Sequence, residues 1–318
     1  MLSDKPVVFS AKRISKDFGA GKSLKTAVKD VSFDIYDEEF ISIVGGSGCG
    51  KSVLAKIMLG LYKPTRGQFL YRDKPIKNLK AHWNEVQSVF QDPFGCFNQF
   101  FTIRSQLEDA LNILKDKPSK EEVRRRVDEG LMAVNVKPED IEGKYPFELS
   151  GGQMQRMLLA RIFALRPKVL IADEATSMVD ACVRANILDY LRKLKDELKM
   201  TVVFVTHDIG LANYVSDRIF IMHDGKIVNQ GTPAEVLDNT TEPHTLRLLD
   251  DIPEVHKTEW IKNSHRSKKK LQGESRENKL ACFHDRTEDY CDRRIQKNRL
   301  RKEPFFRILR EKKSELFL

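Results

Sequence analysis

The chain has 318 residues, of which 41% are hydrophobic and 32% charged, enough for one large or two modest domains with a real core. Its longest unbroken apolar runs are four residues, whereas a transmembrane helix needs about 20, so we expect no segment to cross a bilayer. Residues 251–318 hold 19 Lys/Arg against 12 Asp/Glu, and the first 250 residues hold 36 against 34, so most of the +9 net charge lies in the tail. A nearly neutral main body argues against a nucleic-acid groove running through it.

The cysteines and the first residues both indicate a reducing compartment. Five cysteines in a chain of this length form no dense disulfide framework. Residues 1–4 lack the basic and then apolar layout of a secretory signal. We therefore expect a cytosolic chain that acts at a membrane only with other subunits. The basic tail either touches anionic lipid or RNA or is a solvated surface, and its interspersed charges favour the solvated surface.

The first predicted elements are strands. Residues 7–15 and 31–36 alternate apolar and polar side chains, as a half-buried strand does. Residues 40–44 (Phe-Ile-Ser-Ile-Val) form a mostly apolar run that predicts a buried strand.

A glycine-rich segment joins the strand at 40–44 to a predicted helix. Its spacing, G-x-x-x-x-G-K-S, is that of a loop that binds nucleotide phosphates. Glycines let backbone N–H groups turn inward, the helix N-terminus adds positive potential, Lys51 reaches the β- and γ-phosphates, and the Ser52 hydroxyl binds Mg²⁺. A glycine turn with an incidental lysine would not explain the flanking strand and helix. The predicted nucleotide-binding residues here are Gly45, Gly46, Ser47, Gly48, Cys49, Gly50, Lys51, Ser52 and Val53.

Two more short strands, at 66–71 and 86–90, precede a helical region. From Ile103 to about Asn135 apolar residues recur at helical spacing, and Pro118-Ser119 divides the region into two helices. Ser119 with Glu122 three residues later predicts a capping box at the start of the second helix.

The elements that follow alternate between helix and strand, which predicts a parallel sheet covered by helices. They are helix 151–165, strand 169–172, helix 181–199, strand 201–205 and helix 208–215. Asp224-Gly225, between two apolar runs, predicts a hairpin after them.

Two acidic residues end the strand predicted at 169–172. Ligands bind at the carboxyl ends of parallel strands, where an Asp can hold Mg²⁺ and a following acid can polarise an attacking water. We therefore predict that Asp173 is a metal ligand and Glu174 the catalytic carboxylate. Taken alone, this pattern also fits a simple helix N-cap; the glycine loop upstream favours the catalytic interpretation.

A second glycine-containing segment opens the helix predicted at 151–165. Ser150 is placed to cap this helix, and Gly151 and Gly152 would expose its first amides to an anion. An ordinary serine cap is the alternative. Two glycines at a helix start each cost about 1 kcal/mol relative to alanine, so we expect a compensating function.

The segment Leu149-Ser150-Gly151-Gly152-Gln153, after the glycine loop and before Asp173-Glu174, resembles the signature sequence of the ABC-family ATPases. Other segments resemble that family in the same order. Gln91 resembles its Q-loop glutamine, residues 177–180 (Ser-Met-Val-Asp) its D-loop, and His207 its switch histidine. Phe18 stands where the family places the aromatic ring that stacks on adenine. Taken singly, Gln91, His207 and Phe18 are more often structural residues; the ordered set carries the resemblance.

The resemblance implies an α/β fold: a P-loop NTPase of the ABC cassette type with a mainly parallel core sheet, an antiparallel β subdomain and a helical signature subdomain at about 100–165. It implies an ATPase domain over 1–250 and a basic extension over 251–318. It also implies ATP and Mg²⁺ as ligands. The implied nucleotide-binding residues of the signature segment are Ser150, Gly151, Gly152 and Gln153. The implied metal residues are Ser52, Gln91 and Asp173, and the implied catalytic residues are Glu174, His207 and Gln91.

Within the family the chain is most similar to the ATPase subunits of peptide importers, on residues 91–98, 145–150 and 242–253. That branch implies a second ATPase subunit, identical or paralogous, which clasps ATP head to tail between its own signature segment and this chain's phosphate loop. It further implies two membrane permease subunits, an extracellular solute-binding protein reached through them, no nucleic acid, and a peripheral position on the cytoplasmic face of the membrane. The cargo is a peptide or a related solute such as an oligosaccharide or a metal chelate.

Two rival functions belong to other classes. Relatives that act on chromosomes place long coiled coils between the glycine loop and the signature, and relatives that act on ribosomes carry two cassettes in one chain; this chain has neither feature. A regulatory, non-hydrolysing subunit is disfavoured by Glu174 and His207.

The chain departs from the family pattern at three places. Glu38 stands at a turn where glycine is common, Ala175 replaces a proline, and the tail keeps only Cys282 and Cys291 of a cysteine cluster. Two thiolates do not complete a four-cysteine cluster site, so we expect reduced structural cysteines there. We expect Cys49, in the phosphate loop, to be either reactive or a neutral substitution.

Overall fold

The computed structural model describes residues 5–112, 114, 117–176, 181–238 and 240–250. The predicted D-loop at 177–180 and the extension at 251–318, with its two cysteines, lie outside the described residues, and the predicted domain boundary stays a prediction. The described strands and longer helices are β1 (Val7–Phe18), β2 (Lys25–Tyr36), β3 (Phe40–Val44), α1 (Lys51–Met58), β4 (Arg66–Tyr71), α2 (Leu79–Trp83), β5 (Val86–Val89), α3 (Ile103–Asn112), α4 (Lys120–Ala133), α5 (Gly151–Leu165), β6 (Val169–Asp173), α6 (Ala181–Leu198), β7 (Thr201–Thr206), α7 (Ile209–Val215), β8 (Arg218–His223), β9 (Lys226–Gly231), α8 (Pro233–Leu237) and α9 (Pro243–Asp250).

The larger sheet has six strands in the order β5-β6-β7-β3-β8-β9. Its first five strands run parallel, and β9 returns antiparallel to β8 through the predicted Asp224-Gly225 turn. Every residue of β3, β6 and β7 is buried, as expected of central strands covered on both faces. The predicted parallel sheet is confirmed, and its carboxyl edge gathers the ends of β3, β6 and β7.

The smaller sheet is antiparallel, in the order β2-β1-β4. Its first two strands are longer than predicted, because β1 continues to Phe18 and β2 begins already at Lys25. The β1–β2 pairing contains several register shifts, and these bulges break the strict alternation that the sequence prediction used. Both strands are longer than predicted because they pair with each other as far as Phe18 and Lys25, and this pairing is not encoded in any local pattern.

The predicted helical region is confirmed as two helices, α3 and α4, followed by α5. The Ser119 hydroxyl caps α4 by accepting from the Glu122 amide at 3.3 Å. The predicted capping box is only half realised, because the Glu122 carboxylate accepts from Arg125 and Arg126. None of the helices in the described part of the chain is long and apolar enough to cross a membrane.

Helices α4 and α5 touch through backbone atoms at Gly130. A Cβ at this position would lie 2.4 Å from the carbonyl oxygen of Ala160, so no larger residue fits. The Arg166 guanidinium bonds to Glu129 at 2.8 Å at the end of α5, and Arg104 bonds to Asp128 at 2.9 Å between α3 and α4. The three helices therefore form one tightly connected unit.

The turn before β3 carries the predicted departure at Glu38. Its φ of 53° is left-handed, which costs a non-glycine residue about 1–2 kcal/mol. The Glu38 amide donates to the Thr201 hydroxyl at 2.9 Å and holds this conformation. The next residue, Glu39, is fully buried, accepts from the Tyr36 amide at 2.8 Å and pairs with Arg218 at the start of β8. This ion pair fixes the amino-terminal end of β3, whose other end leads into the glycine loop.

Candidate active site

The glycine loop lies between β3 and α1, as predicted. The Lys51 ammonium donates to the carbonyl oxygens of Gly45 and Gly46, both at 2.8 Å, and the side chain is buried. A buried cation that two carbonyls hold beside a glycine loop is suited to bind a phosphate. At Gly46 and Gly48, which are exposed, an added Cβ would meet no atom within 4 Å, so the loop has open space around these two residues.

The loop is anchored by close backbone approach at its end. Gly50 has a φ of 107°, and a Cβ there would lie 2.3 Å from the carbonyl oxygen of Ala27 in β2. The neighbouring Cys49 thiol is 8% exposed and 4.0 Å from the Lys51 ammonium. Burial raises the pKa of Cys49, against the smaller lowering effect of Lys51. The possibility that Cys49 is a reactive thiol is therefore disfavoured, because the thiolate is the nucleophile.

Two of the three predicted metal residues, Ser52 and Asp173, meet at the carboxyl edge of the large sheet. The Ser52 hydroxyl donates to a carboxylate oxygen of Asp173 at 3.3 Å, from the first turn of α1 to the end of β6. Asp173 is buried, and burial raises the pKa of its carboxyl, while the Ser52 bond acts in the opposite direction. Two hard oxygen donors beside an open phosphate loop fit a Mg²⁺ ion.

Glu174 and His207 also lie together. Their side chains approach to 3.9 Å between the histidine Nδ1 and a carboxylate oxygen, at the ends of the adjacent strands β6 and β7. Glu174 has a left-handed φ of 50°, and its amide donates to the Val205 carbonyl at 2.9 Å. The Glu174 side chain is 25% and the His207 side chain 60% exposed, so both reach the surface where a nucleotide and water would enter.

Gln91 and Phe18 lie at the ends of other strands. Gln91 follows β5, one strand beyond β6, and is exposed. Phe18 ends β1, is 37% exposed, and packs edge-on against Tyr62 with 5.3 Å between ring centroids. The Lys16 ammonium lies 5.3 Å from the centre of the Phe18 ring. An exposed ring beside a second aromatic is suited to stacking on a base, and Tyr62 was absent from the sequence prediction.

The signature segment begins α5 as predicted. The Ser150 hydroxyl accepts from the Gln153 amide at 3.3 Å, and the Gln153 side chain accepts from the Ser150 amide at 2.9 Å. Ser150 is exposed, and the structure makes no hydrogen bond between it and the phosphate loop within the described residues. The structure brings Lys51, Ser52, Asp173, Glu174 and His207 to one edge of the sheet. The exposed Ser150 end of α5, which was predicted to bind an anion, makes no hydrogen bond with them among the described residues.

A residue that the sequence prediction missed joins these two parts. Gln155, in α5, is 2% exposed, and its amide nitrogen donates to the Ala175 carbonyl at 2.7 Å. A glutamine inside a helix is common on exposed faces, so nothing in the local sequence distinguished it. Its burial becomes apparent only when α5 is packed against the end of β6.

The loop, the acidic strand end and the helix-covered parallel sheet define a P-loop nucleotide-binding ATPase. A family model described as ABC transporter matches residues 28–177. The oligopeptide transport ATP-binding protein AppF of Bacillus subtilis is 37% identical over 242 residues, 74% of this chain and 73% of AppF. The oligopeptide transport ATP-binding protein OppF of Salmonella typhimurium is 35% identical over 257 residues, 79% of this chain and 77% of OppF.

Solved structures agree. The ATP-binding cassette MJ0796, in a dimeric post-hydrolysis state bound to ADP and Pi, is similar with a TM-score of 0.63 and 30% identity, over 71% of this chain and 98% of that one. The cbiO1 protein of Clostridium perfringens, part of the ABC transporter complex cbiONQ, is similar with a TM-score of 0.66 and 28% identity, over 79% of this chain and 98% of that one. The chain therefore belongs to the ABC transporter family, as an ATP-binding subunit with ATPase activity.

Proposed function

We propose that this ATPase powers the import of a peptide or a related solute, such as an oligosaccharide or metal chelate, through separate membrane permease subunits. The names of AppF and OppF, which refer to oligopeptide transport, support the cargo class. The single observation that carries the catalytic part is the meeting of Ser52 with Asp173, and of Glu174 with His207, at one sheet edge.

In the proposed reaction Lys51 neutralises the terminal phosphates of ATP inside the loop. Glu174 orients a water molecule and accepts its proton as the water oxygen attacks the γ-phosphorus, while the bond to the β-phosphate oxygen breaks. His207, beside Glu174, contacts the γ-phosphate. Phe18 stacks on the adenine. Gln91 would be an oxygen donor to the metal ion, and through residues 92–103 it would pass the change to the permease subunits.

A divalent cation fits the same edge. Ser52 and Asp173 would hold Mg²⁺, with Gln91 as a further oxygen donor, and the ion would neutralise charge on the phosphates. The buried Asp173 carboxyl beside the Ser52 hydroxyl supports this assignment because both are hard oxygen ligands already directed at each other.

We further propose that two such subunits, identical or paralogous, pair head to tail. Each nucleotide would then lie between the phosphate loop of one subunit and residues 150–153 of the other. The exposed Ser150 end of α5, which is not used by its own loop, supports this pairing. The dimeric state named for MJ0796 agrees with it. Hydrolysis would remove the bridging charge and allow the subunits to separate.

The permease contact is proposed to lie beside the Gln91 segment and the start of α3. Two aromatic side chains there are unusually exposed, Phe100 at 88% and Phe101 at 55%. Phe147 is 68% exposed and lies three residues after Lys144, whose carbonyl accepts from the Ile103 amide at the start of α3. Exposed aromatic clusters typically mark protein contacts. Such a contact would hold the subunit peripherally on the cytoplasmic face of the membrane, with the extracellular solute-binding protein reached through the permeases and no nucleic acid involved.

The variant Glu174→Gln tests the catalytic assignment. It removes the proton acceptor but keeps the shape, so we expect ATP binding to persist while turnover falls by about 10²–10⁴-fold. The matched control is Glu139→Gln, the same chemical change at an exposed residue. Near-normal hydrolysis by Glu174→Gln would remove Glu174 from this role.

The importer is tested with the complex of two ATPase subunits and two permeases in vesicles. We expect steady ATP hydrolysis that rises when the solute-binding protein and a peptide are added together. Hydrolysis that ignores the binding protein, measured with an active complex, would contradict the transport assignment.

A further inference from the structure

The Gln155 amide is the one feature of α5 that reaches the catalytic edge by a direct hydrogen bond in the described part of the chain. Its Nε2 donates to the Ala175 carbonyl at 2.7 Å, and both residues are buried, at 2% and 3% exposure. Ala175 directly follows Glu174. The bond therefore connects the signature helix to the backbone that carries the proposed catalytic carboxylate.

The backbone at Glu174 needs such support. Its φ of 50° is uncommon for a residue with a side chain, and such conformations persist only where the surroundings fix them. On one side the Glu174 amide donates to the Val205 carbonyl at 2.9 Å. On the other side Gln155 fixes the carbonyl of the next residue. These two bonds hold the chain before and after the left-handed residue, and with it the direction of the Glu174 side chain.

We propose that Gln155 is a positioning residue for Glu174 and that it links the signature helix to the catalytic carboxylate. The inference rests on the proposed catalytic function of Glu174. Gln155 lies five residues after Ser150, about 7–8 Å along the helix axis. Since a helix moves as a rod, a shift of α5 that accompanies anion binding at Ser150 displaces the Ala175 carbonyl and reorients Glu174. The subunit thereby responds at its own active site to a nucleotide held by its partner.

The test uses the complete complex and two variants of Gln155. Gln155→Met keeps the size of the side chain and removes the donor, so we expect kcat to fall about 10–100-fold, as displacements of catalytic groups by about 1 Å do. The KM for ATP should stay within about twofold, because Lys51 and Ser52 are untouched. Gln155→Glu supplies a donor only when protonated, and burial raises the pKa of a carboxyl. Its kcat relative to wild type should therefore recover as the pH falls from 8 to 6.

Two further measurements separate positioning from a loss of stability. Ile162→Val, in the same helix and fully buried, removes one methyl group without touching Ala175, and its kcat should match wild type despite a lowered Tm. In the Glu174→Gln background, Gln155→Met should have no additional effect on turnover, since it acts through the carboxylate that is already absent.

Three results would overturn the inference: full turnover by Gln155→Met, a loss of turnover in Ile162→Val of the same size, or an equal further loss in the Glu174→Gln background. If Glu174→Gln is inactive, each of these results refutes the positioning role of Gln155 and leaves the proposed catalytic function of Glu174 intact. Normal hydrolysis by Glu174→Gln would instead refute the catalytic assignment itself.

Discussion

The glycine loop allows a quantitative test of how the active site is built, by comparing Gly50→Ala with Gly46→Ala. At Gly50 the φ of 107° and the 2.3 Å approach to the Ala27 carbonyl both oppose a side chain. The unfavourable dihedral costs about 1–3 kcal/mol, and forcing the backbone apart costs about as much again. We therefore expect the free energy of unfolding to fall by about 2–6 kcal/mol.

Gly46→Ala is the matched control in the same loop. A Cβ there meets nothing within 4 Å, and the residue has no positive φ. Its free energy of unfolding should be unchanged or higher by up to about 1 kcal/mol, because alanine lowers the conformational entropy of the unfolded chain.

Urea unfolding measures both variants. With a slope near 3 kcal/mol/M, the midpoint of Gly50→Ala should lie roughly 0.7–2 M below wild type and that of Gly46→Ala within a few tenths of 1 M of wild type. Gly50 also caps α1. The Gly50→Ala molecules that remain folded should therefore bind ATP more weakly than folded wild type. If both variants unfold within about 0.3 M of each other, the steric account of the loop is refuted.

Two further predictions concern stability. Arg218→Met leaves the fully buried Glu39 carboxylate without its cation, so urea unfolding should show a loss of about 3–5 kcal/mol in the free energy of unfolding. Glu39→Gln should cost less, because its side chain keeps an oxygen that accepts from the Tyr36 amide and because the Arg218 side chain, 21% exposed, reaches water. The reverse order of the two losses would contradict the assignment. His82 is buried with its Nε2 2.9 Å from the Met58 carbonyl and its Nδ1 without a partner among the described residues, and burial lowers its pKa. In the unfolded chain this histidine titrates near pH 6.5, so as the pH drops from about 6.5 to 5 the unfolded chain binds a proton that the folded chain does not, and the stability of the fold should fall. In thermal melts the Tm of His82→Gln should fall less over that interval than the Tm of wild type. Parallel pH profiles for His82→Gln and wild type would show that His82 is not responsible.

The sequence predicted the parts of the site that are local in the chain. The glycine loop, the cap at Ser150 and the acids at the end of β6 each combine an element boundary with a chemical group, so residue spacing identified them. The antiparallel strands were predicted too short because bulges in the β1–β2 pairing interrupt alternation. The strand order β5-β6-β7-β3-β8-β9 depends on packing between distant segments, which no short window encodes.

The contacts that join distant segments were not predicted. Gln155 looks like any polar helix residue until α5 meets Ala175, and Glu39 looks like a surface acid until Arg218 covers it. Both are polar groups whose burial is tolerated only because a partner more than fifteen residues away satisfies them. Sequence reasoning therefore identifies the chemistry of this site better than its mechanical support.

The backbone contact at Gly130 sets how force travels through the helical region. At Gly130 the two backbones are in direct contact, with no side chain between them that could rearrange, and close-packed protein transmits strain. We therefore expect a displacement of α3 or α4 to move α5 as well, since the ion pairs of Arg104 and Arg166 also join these helices. We expect stiffness, and not flexibility, to be the mechanical property that this part of the subunit contributes.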